Sequence, residues 1–138
     1  MNCIIVDDEE MSRNALMHLV QQVEYLHIIN VCSSPLEAID VLNKENIDLV
    51  FIDIEMHAMS GIELIKNLNT RSLIILTTSH QEYALEAFEY KIVDYLIKPI
   101  SLPRFIKAIT KAGELFDNSK THIASSDKDY FFIKENSV

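Results

Sequence analysis

The amino-acid sequence predicts an α/β domain: one five-stranded parallel sheet, doubly wound, with strand order 2-1-3-4-5. Two features of the 138-residue chain carry that expectation. Short apolar runs alternate with helical patterns five times over, the signature of a single parallel sheet covered on both faces. The runs are also continuous rather than alternately polar, as in strands buried on both sides. Right-handed crossovers leave few ways to wind such a sheet. The five-stranded solution places its topological switch point between strands 1 and 3, and ligands of open α/β sheets bind at the carboxyl ends of the strands there.

The elements follow in order. Residues 3–6 form a buried strand that ends in Asp7-Asp8-Glu9-Glu10. A helix follows, with Met11, Ala15, Leu16, Leu19, Val20 and Val23 on its apolar face and acids at its positive dipole end. Residues 26–32 are the second strand. Ser34-Pro35-Leu36-Glu37 reads as a capping box with proline at the first helical position. Residues 47–52 are the third strand, and Leu49-Val50-Phe51-Ile52 runs straight into Asp53. Ser60-Gly61-Ile62-Glu63 is another capping box. Residues 73–77 make the fourth strand, a short helix spans about 81–88, and residues 92–97 make the fifth strand. That strand stops at Lys98-Pro99, because proline cannot continue a central strand. Ser101 can cap a last helix whose apolar face holds Phe105, Ile106, Ile109, Ala112 and Phe116.

The first domain therefore spans residues 1–117. Residues 117–129 turn polar and read as an exposed linker. Tyr130-Phe131-Phe132-Ile133 is strand-like again. One short strand is not a domain, so residues 118–138 are expected to be a linker and the first strand of a second domain.

Composition narrows the function. The formal net charge is −9, from 21 acidic and 12 basic residues, which repels nucleic acid phosphate. The two cysteines, Cys3 and Cys32, lie inside apolar segments and are expected to be buried free thiols of a reducing compartment. No apolar run reaches the ~18 residues of a membrane span. The acids that follow the first strand at once exclude a signal peptide there. A cytoplasmic protein without membrane contact is expected.

Neighbouring parallel strands lie about 4.8 Å apart. Asp7 and Asp8 at the end of strand 1 can thus converge on Asp53 at the end of strand 3. Taken alone, Asp7 and Asp8 would be explained as caps of the first helix; with Asp53 beside them they make an oxygen-only site for a hard cation, Mg²⁺ or Mn²⁺. Thr77 and Thr78 end strand 4 and Lys98 ends strand 5, so a hydroxyl and an ammonium share that edge. Each can bind one oxygen of a phosphoryl group. The only glycines are Gly61 and Gly113, so no glycine loop binds a nucleotide, and the phosphate must arrive on another molecule.

Asp7-Asp8, Asp53, Thr78 and Lys98-Pro99, in this order and register, resemble the receiver domain of bacterial two-component response regulators, a flavodoxin-like fold. Met56 and Gly61 also match that pattern. The phrases from Thr77 through Phe88 and from Val93 through Ile100 resemble its LytR/AlgR branch, which carries a C-terminal LytTR-type DNA-binding domain; residues 130–138 resemble the first strand of such a domain. The resemblance implies that Asp53 is the phosphoacceptor for a phosphohistidine of a sensor histidine kinase. It implies that Mg²⁺ is held by Asp8, Asp53 and the carbonyl of Glu55, with Asp7 acting partly through water. Thr78 and Lys98 would hold the phosphoryl oxygens, and the Lys98-Pro99 bond would be cis. Thr78 and Tyr95 would form the switch that remakes the surface of helix 4, strand 5 and helix 5, with a homodimer forming on phosphorylation. DNA would be contacted only through the C-terminal domain. The chain would be no enzyme beyond catalysing its own phosphorylation and dephosphorylation.

His57 stands where the family usually has proline, and Ser60 replaces a frequent aspartate. Glu55 and His80 occupy two variable positions near the phosphoryl group and are expected to tune hydrolysis of the acyl phosphate. The rival readings are weaker. A Mg²⁺-dependent phosphatase with an aspartyl nucleophile would usually carry a second aspartate where Glu55 stands, together with a cap domain. A flavodoxin-like cofactor binder would need a phosphate-binding loop where this chain has four acids. A degenerate receiver that works by protein contact alone would not keep the full acidic set.

Overall fold

In the computed structural model, which describes residues 1–125, strands and helices alternate throughout. They are β1 (Asn2–Val6), α1 (Glu10–Gln21), β2 (His27–Cys32), α2 (Pro35–Lys44), β3 (Leu49–Asp53), α3 (Gly61–Asn67), β4 (Leu73–Thr78), α4 (Glu82–Ala87), β5 (Asp94–Ile97) and α5 (Leu102–Ser125). The strands form one sheet in the order β2-β1-β3-β4-β5, with every neighbouring pair parallel. Fold class and strand order are as the sequence predicts.

The period of two along each strand sorts its side chains into two cores. Cys3 and Ile5 of β1, and Leu49 and Phe51 of β3, pack with Leu16, Leu19 and Val20 of α1 and with Phe105, Ala108, Ile109 and Ala112 of α5. Ile4, Val6, Val50 and Ile52 face the other way, onto Ala38 and Val41 of α2, Ile62 and Leu64 of α3, and Ala87 of α4. All five residues of β3 are buried. Phe51 stacks on Phe105 with ring centroids 5.9 Å apart, joining the central strand to α5. Cys3 and Cys32 are buried and unpaired, and burial pushes both thiols up to about 11.

The helix starts follow local chemistry. The Ser60 hydroxyl accepts from the Glu63 amide, and the Glu63 carboxylate accepts from the Ser60 amide, a complete capping box. At α2 only half of the expected box forms. Ser34 accepts from the Glu37 amide, whereas the Glu37 carboxylate accepts from the Ser33 hydroxyl instead. Ser101 caps α5 through the Arg104 amide.

Two features were not foreseen. The expected linker begins as helix, since α5 continues to Ser125. No proline or glycine lies between Asp117 and Ser125, and extending a nucleated helix is far easier than starting one. The rest of the linker and the strand expected at residues 130–138 lie outside the described residues. The second feature is a clamp between β5 and α5. Arg104 donates from Nη1 and Nη2 to the two oxygens of Asp94, at 2.9 and 2.8 Å, and from Nη2 to the Tyr95 carbonyl at 2.8 Å. Among the described residues no helix is long and apolar enough to cross a membrane.

Burial would raise the pKa of Asp94, but the hydrogen bonds and charge of Arg104 outweigh it and hold the carboxyl below its ordinary value. A depressed carboxyl contributes stability above its unfolded-state pKa and loses that contribution as pH falls through the folded-state value. Arg104→Met is therefore expected to lower unfolding stability at neutral pH by about 1–3 kcal/mol. The gap to the wild type should close in acid, as urea titrations across the acidic range will show.

Candidate functional site

The register of the central strands decides where the polar residues meet. Val6 pairs with Ile52, and Asp53 pairs with Thr77. Asp7, the next residue after Val6, therefore emerges beside Asp53, and Thr78 emerges one residue past the Asp53 partner. Asp7 and Asp53 are each only 3% exposed. Asp7, Asp8 and Asp53 each offer an oxygen within 4.8 Å of the others. The sequence reading thus holds for the acidic set: the three acids share one small volume. Helix capping does not explain them, since the N-cap of α1 is Glu9, with no side-chain cap bond.

Lys98 reaches into this volume from the end of β5. Its ammonium lies 3.0 Å from Asp7 Oδ2 and 3.3 Å from Asp53 Oδ1, and it donates to Ser12 Oγ at 3.2 Å. The Lys98–Pro99 peptide is cis, as expected. Burial, with the charges of Asp7 and Glu55, pushes Asp53 up to about 7 against the pull of Lys98. Burial would lower the pKa of Lys98, but Asp53 and Asp7 outweigh it and hold the ammonium charged. One ammonium against three clustered carboxylates leaves a net negative site, and a donor set made only of carboxylate oxygens fits a hard divalent cation such as Mg²⁺.

The loop after β3 closes the site. The Glu55 amide donates to Asp53 Oδ1 at 3.3 Å. Asp8 Oδ2 takes both the His57 amide and His57 Nδ1, each at 2.8 Å. Burial would raise the pKa of Asp8, but these bonds outweigh it and lower it, and the same carboxylate raises His57. Gly61 begins α3 against the backbone of Asp53: a Cβ at this position would sit 2.5 Å from the Asp53 carbonyl oxygen.

Thr78 is fully buried, and its Oγ1 lies 2.9 Å from Glu55 Oε1 and 3.2 Å from the His80 carbonyl, with one proton to give. Oγ1 also accepts from the His80 amide at 3.0 Å. Tyr95 lies apart from the acids, on the α4 and α5 side. Phe88 meets its ring edge-on at 5.5 Å, and the Arg104 guanidinium lies 5.7 Å from the ring centre.

Several participants escaped the sequence reading: Ser12 under Lys98, Arg13 on the Asp7 carbonyl at 2.9 Å, the His57 contact with Asp8, and the Glu55 side chain on Thr78. Ser12 and Arg13 lie in the first turns of α1, directly after the acids, and that placement is the one signal that pointed to them. Beside the acids a groove of about 750 Å³ runs between α1 and the segment after β5, lined by Met11, Ala15, Lys98 and Ile100 among others.

Comparison with known proteins agrees with this geometry. Residues 3–110 match the response regulator receiver domain family. The chain is 36% identical over 130 residues to the sensory transduction protein LytR of Staphylococcus haemolyticus, a match that covers 91% of this chain and 51% of that protein. The chain thus spans about half the length of the relatives it matches. Among solved structures, the response regulatory domain of mrkE from Klebsiella pneumoniae superposes with a TM-score of 0.77 at 27% identity, covering 86% of this chain and 99% of that one. The response regulator TrrA of Thermotoga maritima, solved in complex with Mg²⁺ and BeF, does so with a TM-score of 0.71 at 26% identity, covering 80% and 97%. A doubly wound sheet whose switch point gathers three acids and a lysine, matched along most of its length, makes this chain a member of the response regulator receiver domain family.

Proposed function

We propose that this receiver accepts a phosphoryl group on Asp53 from a phosphohistidine of a sensor histidine kinase. The observation that carries this reading is the buried Asp53 carboxylate, held beside Asp7 with the Lys98 ammonium touching both. In the transfer, an Asp53 oxygen attacks phosphorus, the P–N bond to the kinase imidazole breaks, and the departing nitrogen keeps the electron pair. An acyl phosphate remains on Asp53. Lys98 moves with the charge, from the Asp53 carboxylate to a phosphoryl oxygen, and the Thr78 hydroxyl binds another. Asp7, Asp8, Asp53 and the carbonyl of Glu55 would hold Mg²⁺, with Mn²⁺ suited to the same donors. When bound, the cation offsets the charge of the phosphoryl oxygens. The groove beside Met11 and Ile100 reaches Asp7 and Lys98 and supports approach of a donor protein from that side.

Phosphorylation adds about −1.5 to −2 charge at Asp53. Thr78 turns to it, and the Tyr95 ring moves into the space left. The surface of α4, β5 and α5 then changes, and on this face Leu85 and Phe88 are already exposed. In this reading a homodimer forms on that face and controls a LytTR-type DNA-binding domain that begins within residues 118–138. The half-length match to LytR supports a further domain, and the net charge of −9 supports leaving DNA to that domain. The protein works in the cytoplasm and turns over no substrate beyond its own phosphoryl group.

With acetyl phosphate and Mg²⁺, the chain should gain one acid-stable, base-labile phosphoryl group by intact mass. Asp53→Asn and chelation should each abolish it, and Lys98→Ala should slow it by about 10²–10³-fold. Steady turnover of a general phosphomonoester would favour the aspartyl phosphatase instead.

The raised Asp53 pKa carries a second expectation. Between the ordinary value of 3.8 and about 7 the folded state keeps a proton that the unfolded state has released. The cation-free protein should therefore lose stability as pH rises through that window. Asp53→Asn should flatten the loss and be more stable than wild type at neutral pH, by about 1–2 kcal/mol. Thermal melts at several pH values, with and without Mg²⁺, check this; added Mg²⁺ should raise the wild-type Tm far more than that of the variant.

A further inference from the structure

Glu55 does more than follow the phosphoacceptor. Its Oε1 accepts two hydrogen bonds at 2.9 Å, one from the Thr78 hydroxyl and one from the Ser79 amide. Its other oxygen, Oε2, is buried without a hydrogen-bond partner. Thr78 and Ser79 lie one and two residues past Thr77, the pairing partner of Asp53. They are thus the neutral donors at the β4 end of the site, across from the Lys98 ammonium. An anion of tetrahedral oxygens on Asp53 would want these two donors. A carboxylate now occupies them.

We infer that Glu55 is an internal stand-in for the phosphoryl group, seated on Thr78 and Ser79 until the incoming group displaces it. The inference rests on the phosphoacceptor reading of Asp53 and assigns that site a built-in competitor. The seat keeps the Thr78 hydroxyl engaged with Glu55 before any phosphoryl arrives, so Thr78 must change partners before it can turn to the phosphoryl group. Phosphoryl uptake then requires the Glu55 side chain to swing away, and its charge opposes the charge of the donor. The buried Oε2 makes the resting seat an imperfect one, which lets it yield. The Glu55 side chain in this role is a positioning group, since it acts through Thr78 and Ser79 and, unlike the Glu55 amide, bonds no atom of Asp53. An ordinary surface carboxylate would affect uptake only through its charge, and the two roles separate experimentally.

Uptake from acetyl phosphate with Mg²⁺ is followed by intact mass in the wild type, Glu55→Ala, Glu55→Gln, Thr78→Ala and the Glu55→Ala/Thr78→Ala double variant, with thermal melts to confirm that each is folded. Emptying the seat should speed uptake about tenfold in Glu55→Ala, the scale of one charge-assisted hydrogen bond. Glu55→Gln, still an acceptor but neutral, should fall between. In the Thr78→Ala background the gain from Glu55→Ala should shrink to about threefold or less, because one contested donor is gone. Equal gains in both backgrounds would mean charge alone and overturn the seat; so would a Glu55→Ala rate equal to wild type. Failure of the wild type to take the label, or its persistence in Asp53→Asn, would defeat the phosphoacceptor reading itself.

Discussion

The parallel pairing of β1 with β3 is the constraint on which the site depends. It sets Val6 against Ile52 and thereby forces Asp7 and Asp53 out of the sheet side by side, both almost wholly buried. Two carboxylates placed so close repel, and burial worsens the conflict. The ammonium of Lys98, delivered by the far end of the sheet, relieves part of it. What is left is a pocket still short of positive charge. Burial first, and then that deficit, raise the pKa of Asp53, and three carboxylates so placed fit a hard divalent cation.

The same edge gathers the neutral donors. Because β4 flanks β3 on the side away from β1, Thr78 and the Ser79 amide come in opposite the acids. The site is thus polarised across the sheet: acids after β1 and at the end of β3, donors at β4, ammonium from the end of β5. Four of the five strands contribute a polar residue at or just past their carboxyl ends, and the helices mainly bury the two faces.

Much of this was legible in the sequence because the chain states it locally. Apolar runs that stop at Asp7, Asp53, Thr78 and Lys98 mark both the strands and the polar edge, and Ser60 with Glu63 announces a helix start that forms in full. What stayed hidden depended on where long side chains reach. Glu55 and Glu37 are alike in sequence, yet one crosses to β4 and the other merely takes the Ser33 hydroxyl. His57 bridges to Asp8 across a gap in sequence that no periodicity reveals. Arg104 finds Asp94 because α5 passes over β5 at one particular height. Polar composition after Asp117 suggested a linker, whereas helix continues to Ser125; polarity reports exposure, not backbone conformation.

The contact of Gly61 with the Asp53 carbonyl joins two backbones rather than two side chains. Gly61 has no side chain to hold the two apart, so the first turn of α3 sits directly against the backbone of Asp53. A side chain of any size at Gly61 would have to push α3 away from β3 or move the Asp53 backbone. Helix α3, which lends no side chain to the acidic cluster, thereby sets how closely the chain packs behind Asp53.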